Sequence, residues 1–132
     1  MKRLLLVSAV VLVFASCATG PSIPQGAVLL GEREVDFKGD HDVIQVGKDQ
    51  GFFRDLLFVV ENNDVQLYNL VVVYGNGERE KFDTRLNFGE GSRSRRLHVE
   101  GAKRMIQSIT FTYKTVGSWL SGKARVVVYG IR

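Results

Sequence analysis

Residues 81–88 read Lys-Phe-Asp-Thr-Arg-Leu-Asn-Phe, and no feature constrains the fold more than this alternation. Phe82, Thr84, Leu86 and Phe88 fall at every second position, with Lys81, Asp83, Arg85 and Asn87 between them. Successive side chains of a β-strand point to opposite faces, so a period of two gives one dry and one wet face. The same period recurs at Val35 and Phe37, at Leu97 and Val99, and at Ile109, Phe111 and Tyr113. Three runs are more uniformly apolar: Leu56 to Val60, Leu70 to Tyr74, and Val126 to Ile131. They are expected to be central strands covered at least in part on both faces. A shorter strand is expected at Val43 to Val46.

The punctuation supports this pattern. Asn62-Asn63-Asp64 and Gly75-Asn76-Gly77 are hairpin signals, because Asn and Gly tolerate positive φ. Gly89-Glu90-Gly91, Gly47 to Gly51, and Gly117 to Gly122 close other strands. No helical stripe is visible in this region, and Ala102 to Gln107 could form one short turn. The expectation is an all-β domain: a single antiparallel, jelly-roll-like sandwich of about eight strands, with a small barrel as the alternative.

The amino-terminal segment has a different character. Met1-Lys2-Arg3 is positive, and Leu4 to Phe14 is uncharged and apolar in type. Eleven residues are too few to span a bilayer, which takes about 20 in a helix, but they fit the apolar core of a secretory signal. Phe14-Ala15-Ser16-Cys17 follows. It resembles the lipobox of bacterial lipoproteins, with Phe14 where Leu is usual. That resemblance implies diacylglyceryl on Cys17, cleavage before it, and acylation of the new amine. Cys17 is the only cysteine of 132 residues, so it has no internal partner in an oxidising compartment. Lipidation accounts for both its solitude and its position. Both prolines, Pro21 and Pro24, lie in the uncharged stretch up to Gly26, which reads as an extended tether. The expected organisation is a signal peptide over 1–16, a lipidated cysteine and tether over 17–26, and a sandwich over 27–132. Ala18 stands where Asp would mark inner-membrane retention. The resemblance therefore implies a cell-envelope location, on the outer membrane facing the periplasm if the source is Gram-negative.

The order of the later segments is similar to a group of small exported β-rich bacterial proteins of unknown function, the YaaI-like family. The residues that carry it are Leu56 to Val60, Val65-Gln66-Leu67, Tyr74 to Gly77, Leu97 to Gly101, Arg104 to Ile106, Ile109 to Phe111, and Ala124 to Gly130. This likeness implies the fold and export, and no activity.

Charge is uneven. Residues 18–90 hold seven Lys/Arg and thirteen Asp/Glu, whereas residues 91–132 hold nine Lys/Arg and one Glu. An anionic partner would explain this, and so would acidic strands paired with basic ones in one sheet. Cleavage would also remove Lys2 and Arg3, halving the net charge of +4.

Signals for catalysis are sparse. His41 and His98 are the only histidines, no Ser lies in a Gly-x-Ser-x-Gly elbow, and Cys17 is taken by lipid, so no enzyme and no cofactor are expected. Asp40, His41 and Asp42, with Asp36 upstream, are the densest set of potential metal ligands. A strand would put Asp40 and Asp42 on one face and His41 on the other, so a polar turn before Val43 is expected instead. Gly89-Glu90-Gly91-Ser92-Arg93 has no Gly-Lys-Ser/Thr ending and reads as a hairpin loop rather than a phosphate loop.

Arg93, Arg95 and Arg96, then Lys103 and Arg104, are the sharpest candidate for ligand binding. On a strand Arg93 and Arg95 share a face and Arg96 points the opposite way. They could meet anionic lipid or polysaccharide, or merely guard a solvated edge strand. Trp119, in a loop beside Leu120, could stack on a sugar ring or plug one end of the sandwich. The functional expectation is a non-catalytic binding or accessory domain of the cell envelope. Its partners would be the membrane, through Cys17, and an envelope lipid, polysaccharide or protein; the compartment disfavours nucleic acid. The alternatives are a structural module of a larger envelope complex and, third, a metal-dependent enzyme at Asp36, Asp40, His41 and Asp42.

Overall fold

The computed structural model describes residues 22–36, 40–83, 85–89, 94–117, 120 and 122–132. The strands are β1 (Val28–Val35), β2 (Asp40–Gln45), β3 (Phe52–Phe53), β4 (Asp55–Glu61), β5 (Val65–Tyr74), β6 (Arg79–Phe82), β7 (Leu86–Phe88), β8 (Ser94–His98), β9 (Arg104–Thr115) and β10 (Ala124–Ile131). A four-stranded antiparallel sheet runs β1-β10-β4-β8. A six-stranded one runs β2-β9-β5-β6, with β3 on β9 and β7 on β5. They face each other as a sandwich and do not close into a barrel.

The pairing is nested. The first strand pairs with the last (β1 with β10), the next inward with the next (β2 with β9), then β4 with β8, and β5 with β6 and β7. A long hairpin wrapped around a core gives this order, which is that of a jelly roll. The expected eight strands become ten for two local reasons. Phe52–Phe53 makes a two-residue extension against Met105 and Arg104. The alternating run 81–88 is broken into β6 and β7, and Thr84 lies outside the described residues.

The break has its cause on β5. The pairing of β5 with β9 shifts between Tyr68 and Val71, and Asn69 adopts φ 50°. One extra residue reverses the phase of alternation, so Val65 and Leu67 face the core before the bulge, and Leu70, Val72 and Tyr74 after it. β7 pairs on one side of this irregularity and β6 on the other. The apolar run Leu70 to Tyr74 is therefore buried only at alternate positions. Leu56 to Val60 is buried throughout, as expected of a central strand.

The core joins Leu56, Phe58, Val60, Val126 and Val128 to Ile44, Leu67, Val72, Ile109 and Phe111. Each such side chain, fully buried, contributes about 1.5–3 kcal/mol of transfer free energy. Two glycines permit close approaches. A Cβ on Gly31 would lie 2.5 Å from Ile44 Cγ2, where β1 and β2 meet at the sandwich corner, and one on Gly130 would lie 2.4 Å from the Phe53 ring. The outer face of the four-stranded sheet carries a small apolar cluster of Leu57, Val59 and Val127, with Tyr129 and Ile131 beside it.

Several local expectations are corrected. Asn62-Asn63-Asp64 is not a hairpin but carries the chain from β4 in one sheet to β5 in the other. The connection after Gly89 likewise leaves one sheet for the other. Arg104 to Gln107 belongs to strand β9, not to a helical turn. Asp40, His41 and Asp42 lie within β2, paired with Tyr113, Thr112 and Phe111, and not in a turn before Val43. The Gly75-Asn76-Gly77 hairpin is present, with Gly77 at φ 88° and its N–H donating to Tyr74 O at 2.9 Å.

Candidate functional site

The nested topology sorts the connections to two ends. Val28 pairs with Gly130 and Val35 with Ala124, so the amino-terminal segment joins the sandwich beside Gly130, Asp55 and His98. This near end also holds residues 46–54, the β5–β6 turn, residues 99–103 and the carboxyl terminus. The far end holds the connections 36–39, 62–64, 89–93 and 116–123.

Cys17, Arg93 and Trp119 lie outside the described residues. Of the described neighbours of the latter two, Gly89, Gly117 and Leu120 belong to connections of the far end and Ser94 begins β8 there. Arg95 and Arg96 are on β8, opposite Phe58 and Leu57, so their side chains point to opposite faces. Arg95 is exposed and donates only to the Ser94 carbonyl, at 3.1 Å. Arg96 is committed. Its Nε donates to Asp55 Oδ2 at 2.7 Å, and Nη2 lies 2.5 Å from the same oxygen. Asp40 and Asp42 share one face of edge strand β2 and His41 takes the other. Asp40 Oδ1 accepts the His41 N–H at 2.8 Å and lies 3.2 Å from its Nδ1. Among the described residues no three His, Cys, Asp or Glu side chains converge as metal ligands.

The far end is built around Asn63, whose side chain is buried. Its Nδ2 donates to Gly122 O at 3.0 Å and its Oδ1 accepts Asp64 N–H at 2.8 Å. Asp64 O in turn accepts Val116 N–H at 3.0 Å. One amide thus ties the β4–β5 connection to the loop between β9 and β10. Beside it lies a polar groove of about 370 Å³, lined by Glu32, Glu34, Asn62, Lys123 and Arg125. Arg125 donates from Nε to Glu61 Oε2 at 2.8 Å, and its Nη1 is 3.9 Å from Glu32. The hydrogen bond to Glu61, followed by the charges of Glu61 and Glu32, raises the Arg125 pKa further above its usual value. Lys123 has no acidic partner among the described residues. The sequence reading missed this groove because its residues come from three separated segments, which only the β1–β10–β4 register brings together.

The near end holds two clusters. Asp55 is buried and receives Arg96 on one oxygen and His98 Nδ1 on the other, at 2.6 Å. Burial would raise the Asp55 pKa, but the hydrogen bonds from His98 and Arg96 outweigh it and hold the carboxyl below its usual range. A carboxylate on Nδ1 orients an imidazole, as in catalytic dyads. Here no hydroxyl or thiol is hydrogen-bonded to His98 among the described residues, so the pair braces the β4–β8 edge. Nearby is a second cavity of about 370 Å³, lined by Phe52, Tyr74, Asn76, Lys103, Arg104 and Met105. The Arg104 guanidinium sits 3.9 Å over the Tyr74 ring and binds Glu78 at 2.5 Å. The buried Tyr74 hydroxyl donates to Glu80, and burial followed by that hydrogen bond pushes its pKa up.

Ion pairs take up part of the uneven charge of the sequence: Asp55 with Arg96, Glu61 and Glu32 with Arg125, Glu78 with Arg104. A family model described as a domain of unknown function, DUF2541, matches residues 5–130. No curated protein and no solved structure matches the chain.

Proposed function

We propose that this chain, which belongs to the DUF2541 family, is a lipid-tethered accessory domain of the cell envelope that binds a partner non-catalytically through its far end. The observation that carries the reading is the separation of roles along the sandwich. The segment after Cys17 joins at one end, and the groove of Glu32, Glu34, Asn62, Lys123 and Arg125 opens at the other. A domain held by its amino terminus presents that opposite end to whatever lies beyond the membrane surface. The family match takes in most of the apolar leader, which supports the leader as a shared feature of the family.

The groove mixes carboxylates, an amide and cations within one small space. Such a set satisfies hydroxyl groups in either direction, which favours a polysaccharide over a purely anionic polymer. Trp119, four residues before Lys123 in the sequence, is the aromatic candidate for stacking on such a ligand. A second reading, docking to an envelope protein, is favoured by the exposure of Val116 and Leu120, 58% and 76%, at the same end.

The test compares wild type, Cys17→Ala and Lys123→Glu in crosslinked pull-downs from membranes. Cys17→Ala is expected to leave the membrane fraction. Lys123→Glu is expected to stay there but lose the crosslinked partner. A partner retained by Lys123→Glu and lost on replacing Leu120 by Asp would favour the protein-docking reading; retention by both would end the far-end proposal.

A further inference from the structure

A lipid on Cys17 would constrain the end of the domain that faces the anchor. Between Cys17 and Ser22 there are five residue steps, which span at most about 18 Å fully extended. Pro24 O accepts Ala27 N–H at 3.1 Å in a turn immediately before Val28, so the described chain begins at the near end. A lipid on Cys17 would therefore hold this end close to the bilayer surface.

The chemistry of the near end suits that position. Its segments 46–54, 75–80, 99–104 and 131–132 contain six Lys/Arg and four Asp/Glu. The far-end connections 36–39, 62–64, 89–93 and 116–123 contain three and three. Two of the four near-end acids are engaged: the exposed Glu78 pairs with Arg104, and Glu80 accepts both the Tyr74 hydroxyl and Glu100 N–H, the latter at 2.9 Å. Arg54, Arg79 and Lys103 have no carboxylate partner among the described residues. Among the described residues Arg132 donates to Gln50 O, at 3.1 Å, and has no carboxylate partner. Phe52, 54% exposed, shares its cavity with Lys103, Arg104 and Met105 and lies two residues before Arg54. An exposed aromatic ring on the same end as unpaired cations is a combination that suits the interface of an anionic bilayer.

We infer that the near end is a seating surface for anionic phospholipid, with Phe52 at the headgroup level and Arg54, Lys103 and Arg132 against the lipid phosphates. The inference rests on the tether reading of Cys17. Seating would fix the orientation of the domain, so that the far-end groove points away from the membrane instead of sampling all directions on a slack chain.

Because Cys17 is the only native cysteine, the full lipidated protein with Phe52→Cys has one free thiol for a nitroxide label. The label would be read in vesicles of phosphatidylcholine mixed with phosphatidylglycerol, by its relative accessibility to oxygen and to a water-soluble nickel complex. A label at Lys123→Cys is the far-end reference. The oxygen-to-nickel ratio is expected to be about threefold higher at position 52 than at 123, and to fall in pure phosphatidylcholine or at high salt. Asn76→Cys, on the turn of the same end, repeats the reading without altering an apolar side chain. Equal ratios at 52, 76 and 123 would overturn the seating. The intact mass of the same sample keeps the two ideas apart: lipidated Cys17 with a wet near end defeats the seating alone, and unmodified Cys17 defeats the tether and the seating with it.

Discussion

The two ends of the sandwich are held by different forces. At the far end the β4–β5 and β9–β10 connections converge on the buried amide of Asn63, whose hydrogen bonds to Gly122 O and Asp64 N–H carry no charge. At the near end the strands are held by ionic contacts, Asp55 with Arg96 and a hydrogen bond to His98, and Arg104 with Glu78 and over the Tyr74 ring. Neutral buried hydrogen bonds are indifferent to salt and to moderate pH, whereas ion pairs answer to both. The far end should thus behave as a fixed platform and the near end as one tuned by its surroundings, which fits a ligand surface at the first and an ionic membrane surface at the second.

The largest effect is expected from Asn63→Ala. It leaves Gly122 O and Asp64 N–H without their partner in a region from which water is excluded. The cost should be about 2–3 kcal/mol, read as a lower urea midpoint with an unchanged slope. Hydrogen exchange should show the loss in residues 62–64 and 116–123, with β3 and the β5–β6 turn still protected. Loss of protection at both ends alike would mean that the two are one cooperative unit and would break the comparison.

Asp55→Asn probes the near end and should cost less, about 1–2 kcal/mol, because Arg96 and His98 are more than half exposed and can turn to water. Its signature is pH dependence. The folded-state pKa of Asp55 is depressed, so its contribution is fully present above the unfolded value near 4 and is lost as pH falls through the folded value. The stability difference between wild type and Asp55→Asn should therefore be largest near neutral pH and shrink on acidification below about pH 4. A difference independent of pH would assign the effect to packing rather than to charge.

The unequal nature of the ends also explains what the sequence could convey. Period-two alternation and the apolar runs at Leu56 to Val60 and Val126 to Ile131 were enough for an all-β sandwich, because burial on one face is a local property of a strand. The bulge at Asn69 was not legible. It moves Leu70 out of the phase of Tyr68 and into the core phase of Leu67, and that shift shows only against β9. Asn62-Asn63-Asp64 was read as a hairpin for the same reason: the turn chemistry is local, while the sheet that the next strand joins is not. Of the candidate residues, Arg95 and Arg96 take opposite faces as a strand requires. The partner of Arg96 is Asp55, 41 residues away, and only the β4–β8 register brings them together. The far-end groove is assembled in the same way, from Glu32, Glu34, Asn62, Lys123 and Arg125.

The smallest expected effect, and the one that sharpens the comparison most, is from Arg125→Ala. Although it lies towards the far end, Arg125 is an exposed cation shared by Glu61 and Glu32, so by its chemistry it belongs with the near end. Removing it leaves Glu61, Glu32 and Glu34 close together with Lys123 as the nearby cation of the groove. Exposed pairs of this kind gain little over solvation and are screened by salt. The unfolding midpoint should drop slightly at low ionic strength and coincide with wild type in molar salt. Because Asn63 remains in place, hydrogen exchange at 62–64 and 116–123 should not change. The groove would nevertheless become more acidic, so binding of a partner there should alter much more than stability does. A midpoint shift that persisted in high salt would show that Arg125 supports the loops directly, and the division between a neutral far-end scaffold and its charged lining would then have to be abandoned.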